Sequence, residues 1–178
     1  MTSRARKILL AAALLCSIAG AFAYWRHYHP LEGTPYRYEV RENSTLWRLK
    51  WSNAVPVAQT ALHPIEPASP TCSAWTAVVP SAADEKPGVV LFKADGTPTA
   101  FLPCAHSETV NAASASPLGR VIALVRDRRG EIEFFALPEC VSLGTIHAFG
   151  PVLWDAPTSG TAFDRSGKKI GFTMAPEK

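Results

Sequence analysis

The stretch Ser116-Pro117-Leu118-Gly119-Arg120-Val121-Ile122-Ala123-Leu124-Val125 sets a tight turn directly before five apolar residues in a row. Proline pre-sets φ in such a turn, and glycine supplies a positive φ at low cost. A short apolar run bounded by turn residues reads as a strand buried on both faces. Working outward, Asp127-Arg128-Arg129-Gly130 is a hairpin turn with charges outward, and Ile132–Leu137 is a third strand. Pro138-Glu139-Cys140 turns again, and Ser142–Ile146 closes a unit of four short strands.

The same phrase recurs. Ala68-Ser69-Pro70 precedes Trp75-Thr76-Ala77-Val78-Val79, and about 47 residues later Ala115-Ser116-Pro117 precedes Ile122–Val125. A similar interval further on, Asp164-Arg165-Ser166-Gly167 precedes Ile170-Gly171-Phe172. A period of this size points to stacked supersecondary units. Val89–Phe92, the turn Ala94-Asp95-Gly96 and Thr99–Leu102 complete the earlier copy. Residues 36–62 read as a first unit lacking one strand. There Tyr36, Tyr38 and Val40 alternate with Arg37, Glu39 and Arg41, and Leu46–Trp51 and Val57–Leu62 follow.

These phrases resemble TolB-type β-propeller repeats, in which a Ser-Pro-x-Gly or Asp-x-x-Gly turn precedes an Ile-Ala or Ile-Gly-Phe strand. Ser116–Ala123 and Asp164–Phe172 match best, and Ser69–Val79 departs, with Cys72 where the turn glycine belongs. The resemblance spans about residues 68–174 and implies a fold rather than a task, because propellers host unrelated functions. About thirteen strands are expected, fewer than a closed propeller of four to eight blades needs. The expected fold class is therefore all-β: an incomplete or open propeller-like array of three to four antiparallel blades after an N-terminal hydrophobic helix. The rival is a small sandwich or meander whose turns mimic the motif.

Fifteen prolines between short apolar runs argue against long helices. The exception is the N-terminus. Arg4, Arg6 and Lys7 precede residues 8–23, which are uncharged and apolar. Ala21-Phe22-Ala23 has the small-x-small pattern of a signal-peptidase site. Cleavage there gives a periplasmic or secreted protein. Without cleavage, residues 1–25 anchor the chain in the inner membrane, with Tyr24, Trp25 and Tyr28 at the interface and the domain outside the cytoplasm. Residues 26–35 are then a linker and 36–178 the repeat domain. The net charge of +3 belongs to the leader: beyond residue 23, fifteen basic residues face fifteen acidic ones. That balance gives no electrostatic case for nucleic acid.

His63, His106 and His147 each follow an expected fourth strand at nearly equal spacing, with Glu66 and Glu108 close to the first two. On a propeller those loops share a face, and three converging imidazoles would bind zinc; the plainer reading is solvated loop histidines. Cys72, Cys104 and Cys140 lie in the exported part, where a disulfide is permitted, and Cys72–Cys140 is the favoured pair because both sit in turns on one face. There is no Cys-x-x-Cys pair, no Gly-x-Ser-x-Gly elbow and no glycine-rich phosphate loop. Glu131 and Glu133 alternate on one strand and read as a solvated surface. Trp47 and Trp51 share a strand face and read as core packing or as a sugar or protein contact.

No cofactor is expected. The expected role is a non-enzymatic envelope protein that binds another protein, or a second copy of itself, through an open sheet edge or loop face. The alternative is a periplasmic small-molecule or metal-binding module using the His63, His106 and His147 face.

Overall fold

The computed structural model describes residues 3–28, 30–41, 45–50, 53–57, 62–66, 75–80 and 86–174. Among the described residues, helix α1 (Ser3–Tyr28) is followed by fourteen strands. Residues 10–21 and Tyr24 of α1 are all exposed, Leu10, Leu14, Leu15 and Ile18 included, so the β domain leaves them uncovered. Among the described residues, no helix is long and apolar enough to cross a membrane.

The strands fall into four antiparallel units. Unit 1 is β1 (Arg37–Arg41), β2 (Thr45–Lys50) and β3 (Asn53–Pro56). Unit 2 is β4 (Leu62–Glu66), β5 (Trp75–Val79), β6 (Gly88–Phe92) and β7 (Pro98–Pro103). Unit 3 repeats this with β8 (Ala112–Ala115), β9 (Val121–Arg126), β10 (Glu131–Ala136) and β11 (Val141–Ile146). Unit 4 is β12 (Phe149–Ala156), β13 (Ser159–Phe163) and β14 (Lys169–Thr173). The innermost strands of units 2 and 3 pair in parallel, Ile65 with Ala113 and Glu66 with Ser114, which joins them into one mixed sheet of eight strands.

Three hydrophobic cores join consecutive units. Alternation of side chains along each strand decides who joins which. In β6, Val90 and Phe92 pack toward unit 1 with Tyr38 and Leu46, while Val89 and Leu91 pack toward unit 3 with Ile122 and Leu124. In β9, Val121, Ala123 and Val125 turn the other way and meet Val152, Ala162 and Phe172 of unit 4. Both strands are thus buried on both faces, which is why they read as unbroken apolar runs. Burial of each large core side chain, such as Phe92 or Phe134, stabilises the fold by roughly 1.5–3 kcal/mol. None of the three cores joins unit 1 to unit 4. The chain is an open, propeller-like array of four blades, of which two carry four described strands.

Two expectations shift. In unit 1 the third described strand is Asn53–Pro56, with Asn53 paired to Lys50, and residues 58–61 of the expected strand Val57–Leu62 lie outside the described residues. Val57 is buried after the strand ends, its N–H bonded to the Leu46 carbonyl. In unit 4 the Asp164 turn joins the second strand to the third, not the first to the second. Phe172 of β14 packs against Phe134 of β10 with ring centroids 4.8 Å apart and planes tilted by 44°, and Trp154 of β12 bonds to Ser114 of β8. These contacts align β12, β13 and β14 with the first three strands of unit 3. The Asp164 turn also differs in length from its sequence counterpart. Asp164 N–H bonds the Lys168 carbonyl, four residues on, as Lys93 N–H bonds the Thr97 carbonyl; Ser116 N–H bonds the Val121 carbonyl, five on. Both turns use a glycine at positive φ, Gly119 at 64° and Gly167 at 84°.

Candidate functional site

The ends of β5, β7, β9 and β11 lie at one end of the eight-stranded sheet, because these four strands run in the same direction. Arg126, the last residue of β9, continues the Ile122 and Leu124 alternation toward unit 2 and is only 4% exposed. Its Nη1 donates to the Ala105 carbonyl at 2.7 Å. Its Nη2 lies 3.1 Å from Glu133 Oε2 and 3.7 Å from Glu131 Oε2. Its Nε is buried and has no hydrogen-bond partner among the described residues. The two glutamates are therefore not a free solvated surface: they clamp a buried guanidinium that ties the loop after β7 to unit 3. The Arg129 hydrogen bond holds the Glu131 carboxyl below its ordinary range, helped weakly by His147. Cys104 is buried beside this clamp; desolvation and the nearby Glu133 charge push its thiol up to about 12.

The structure describes the side chains of two of the three histidines. His106 opens a short turn at positive φ and faces Glu108 at 3.6 Å, both side chains exposed. His147 is exposed after β11, at the same end of the sheet. His63 does not follow a strand: it pairs with Thr76 inside β4, and its side chain lies outside the described residues. No group of three metal-binding side chains forms among the described residues. Cys140 carries a free thiol, half-buried in the turn between β10 and β11, its Sγ 3.2 Å from the Pro138 carbonyl. Cys72 lies outside the described residues, so the expected Cys72–Cys140 disulfide is not seen. Ala21 and Ala23 both lie within α1. Trp47 is half-buried under the Arg41 guanidinium, 4.4 Å from its ring centroid, and Trp51 lies outside the described residues.

A groove that sequence reasoning missed runs between the innermost strand of unit 3 and β12. It encloses about 850 Å³. At one end, Asp127 Oδ1 accepts the Gly150 N–H at 3.0 Å and Oδ2 accepts Asn111 Nδ2 at 2.9 Å, while Asn111 Oδ1 accepts the Asp127 N–H. At the other end, Trp154 Nε1 donates to Ser114 Oγ at 2.9 Å. Between these straps the groove is lined by Ala112 and Ala113 on one side and by Pro151, Val152 and Leu153 on the other. β12 is fastened here by side chains because its pairing with β13 slips between Phe149 and Leu153.

The sheet edges form the second candidate surface. Unpaired edge backbone is a template for another strand, and most edges here are blunted. β7 begins and ends in proline, β11 pairs across a bulge with Gly144 at φ 118°, β12 carries Pro151, β3 is four residues long and ends in Pro56, and β1 alternates Arg37, Glu39 and Arg41. β14 has no proline and no bulge, and its one charged residue is Lys169 at its start. It pairs with β13 in unbroken register over five residues, and no described strand lies on its other side.

No family model and no curated protein matches this chain.

Proposed function

We propose that the chain is a non-enzymatic, envelope-facing β-repeat protein that binds another protein by adding a partner strand to the β14 edge. The carrying observation is the contrast between units: units 2 and 3 each have a fourth described strand, whereas no described strand lies beside β14, an edge free of proline and of bulges. Strand addition draws affinity from main-chain hydrogen bonds and selectivity from alternate side chains. Export is supported by Arg4, Arg6 and Lys7 before an uncharged apolar run, and by the exposed Leu10, Leu14, Leu15 and Ile18, which need lipid or removal. The proposed partner is a protein other than this chain.

The test places a photo-crosslinking residue at Lys169 or Thr173, both exposed on β14, in the full chain expressed in a cell envelope. A shared discrete adduct is expected from both positions and not from Leu118, an exposed turn residue of unit 3. Adducts of equal pattern from all three positions, or none from β14, refute the reading. An adduct of twice the chain's mass identifies the partner as a second copy. Zinc found at one atom per chain by elemental analysis would favour the metal-binding alternative.

A further inference from the structure

The geometry points to the groove beside β12 as a binding site for a small apolar cation, a site separate from the β14 edge and independent of the role proposed for it. Its two straps fix its dimensions. Asn111 to Ser114 spans three residues of extended chain, about 10 Å between the polar end and the Trp154 end. Ala112, Ala113, Val152 and Leu153 make the walls apolar, the usual character of a ligand groove of this volume.

Charge decides the ligand class. Among the described residues, Asp127 is the one ionisable side chain on the lining. Each of its oxygens accepts one hydrogen bond, from Gly150 and Asn111, and a carboxylate accepts about four. An ammonium group can therefore join without displacing either strap. The same carboxylate repels an anion, and the apolar walls strengthen both the attraction and the repulsion. At the far end the Trp154 indole is held in place by its Ser114 hydrogen bond and by edge contacts with Phe134 and Phe172, at 84° and 89°. A half-buried indole on rigid supports suits a flat apolar or aromatic body. The ligand is thus an amine on an apolar, preferably aromatic, body about 10 Å long. A free arylalkylamine and a basic residue next to an aromatic one in a peptide share that chemistry.

The test titrates the full chain in mild detergent with tryptamine, indole-3-ethanol and indole-3-propionate, three ligands of one shape with a positive, neutral and negative end. Calorimetry is expected to rank tryptamine first, with the propionate weaker by about tenfold or more. Asp127→Asn is expected to make tryptamine and the alcohol equal. Leu153 is 47% exposed at the groove wall, so Leu153→Lys leaves the core intact and keeps the test valid if Asp127→Asn does not fold. It is expected to weaken tryptamine by about tenfold. Equal affinity for all three ligands, no binding of any at millimolar concentration, or unchanged tryptamine binding in Leu153→Lys overturns the inference. Acetyl-Trp-Lys-amide binding tighter than tryptamine assigns the cation to a peptide, and the reverse order assigns it to a free amine.

Discussion

Replacing Arg126 by Met tests whether the clamp between units 2 and 3 stabilises the fold. Methionine keeps most of the buried stem and removes the guanidinium. Three terms set the magnitude. The loss of the Ala105 hydrogen bond costs about 0.5–1 kcal/mol, because Ala105 is exposed and water can replace the donor. Leaving carboxylates without their cation costs about 3–5 kcal/mol when the pair is fully buried. Glu133 and Glu131 keep 15% and 21% of their side-chain surface, so roughly half of that cost applies. Against this, removing a buried charge whose Nε has no partner returns about 1 kcal/mol. The net expectation is a loss of about 2 kcal/mol, which lowers Tm by roughly 4–8 °C in a domain of this size. Urea titration followed by circular dichroism measures it. Pairing the change with Glu133→Gln is expected to recover at least about 1 kcal/mol, since the stranded carboxylate is gone. An Arg126→Met variant within about 0.5 kcal/mol of the parent, or a double variant no better than the single one, refutes the reasoning.

The Cys104 thiol, held at about 12 mainly by burial, leaves on the order of one part in 10,000 as thiolate at pH 8, so it is expected to stay unlabelled by maleimide in the folded protein and to react on unfolding. Asp164 accepts hydrogen bonds from the Ser166 hydroxyl and from the Ser166 and Lys168 N–H groups, and these hold its carboxyl below the ordinary value of 3.8. The folded state therefore binds its proton later than the unfolded chain. This turn's contribution is complete above 3.8 and is lost as pH falls through the lower folded value. Carbon-13 titration of the Asp164 carboxyl should give a midpoint under 3.8, and a midpoint at or above it refutes the assignment.

What sequence alone determined was local. The runs Val89–Phe92 and Val121–Val125, with turn residues around them, place β6 and β9 to within a residue, and the four-strand plan of units 2 and 3 follows from the repeat. These are properties of a strand and its nearest turns, set by alternation and by where glycine and proline bend the chain. Tertiary structure decided the phase of unit 4 and every strap that makes a site. Asp164-Arg165-Ser166-Gly167 suits more than one hairpin, and the packing of Phe172 on Phe134 and the hydrogen bond of Trp154 to Ser114 say which one it closes. Asp127 reads as part of an outward-charged turn and Arg126 carries no sequence signal, yet the carboxylate reaches Gly150 and the guanidinium reaches Ala105, each more than twenty residues away. No local pattern encodes such pairs, because they exist only once the blades are packed and the cost of burying a charge must be met by whatever polar group the neighbouring blade presents.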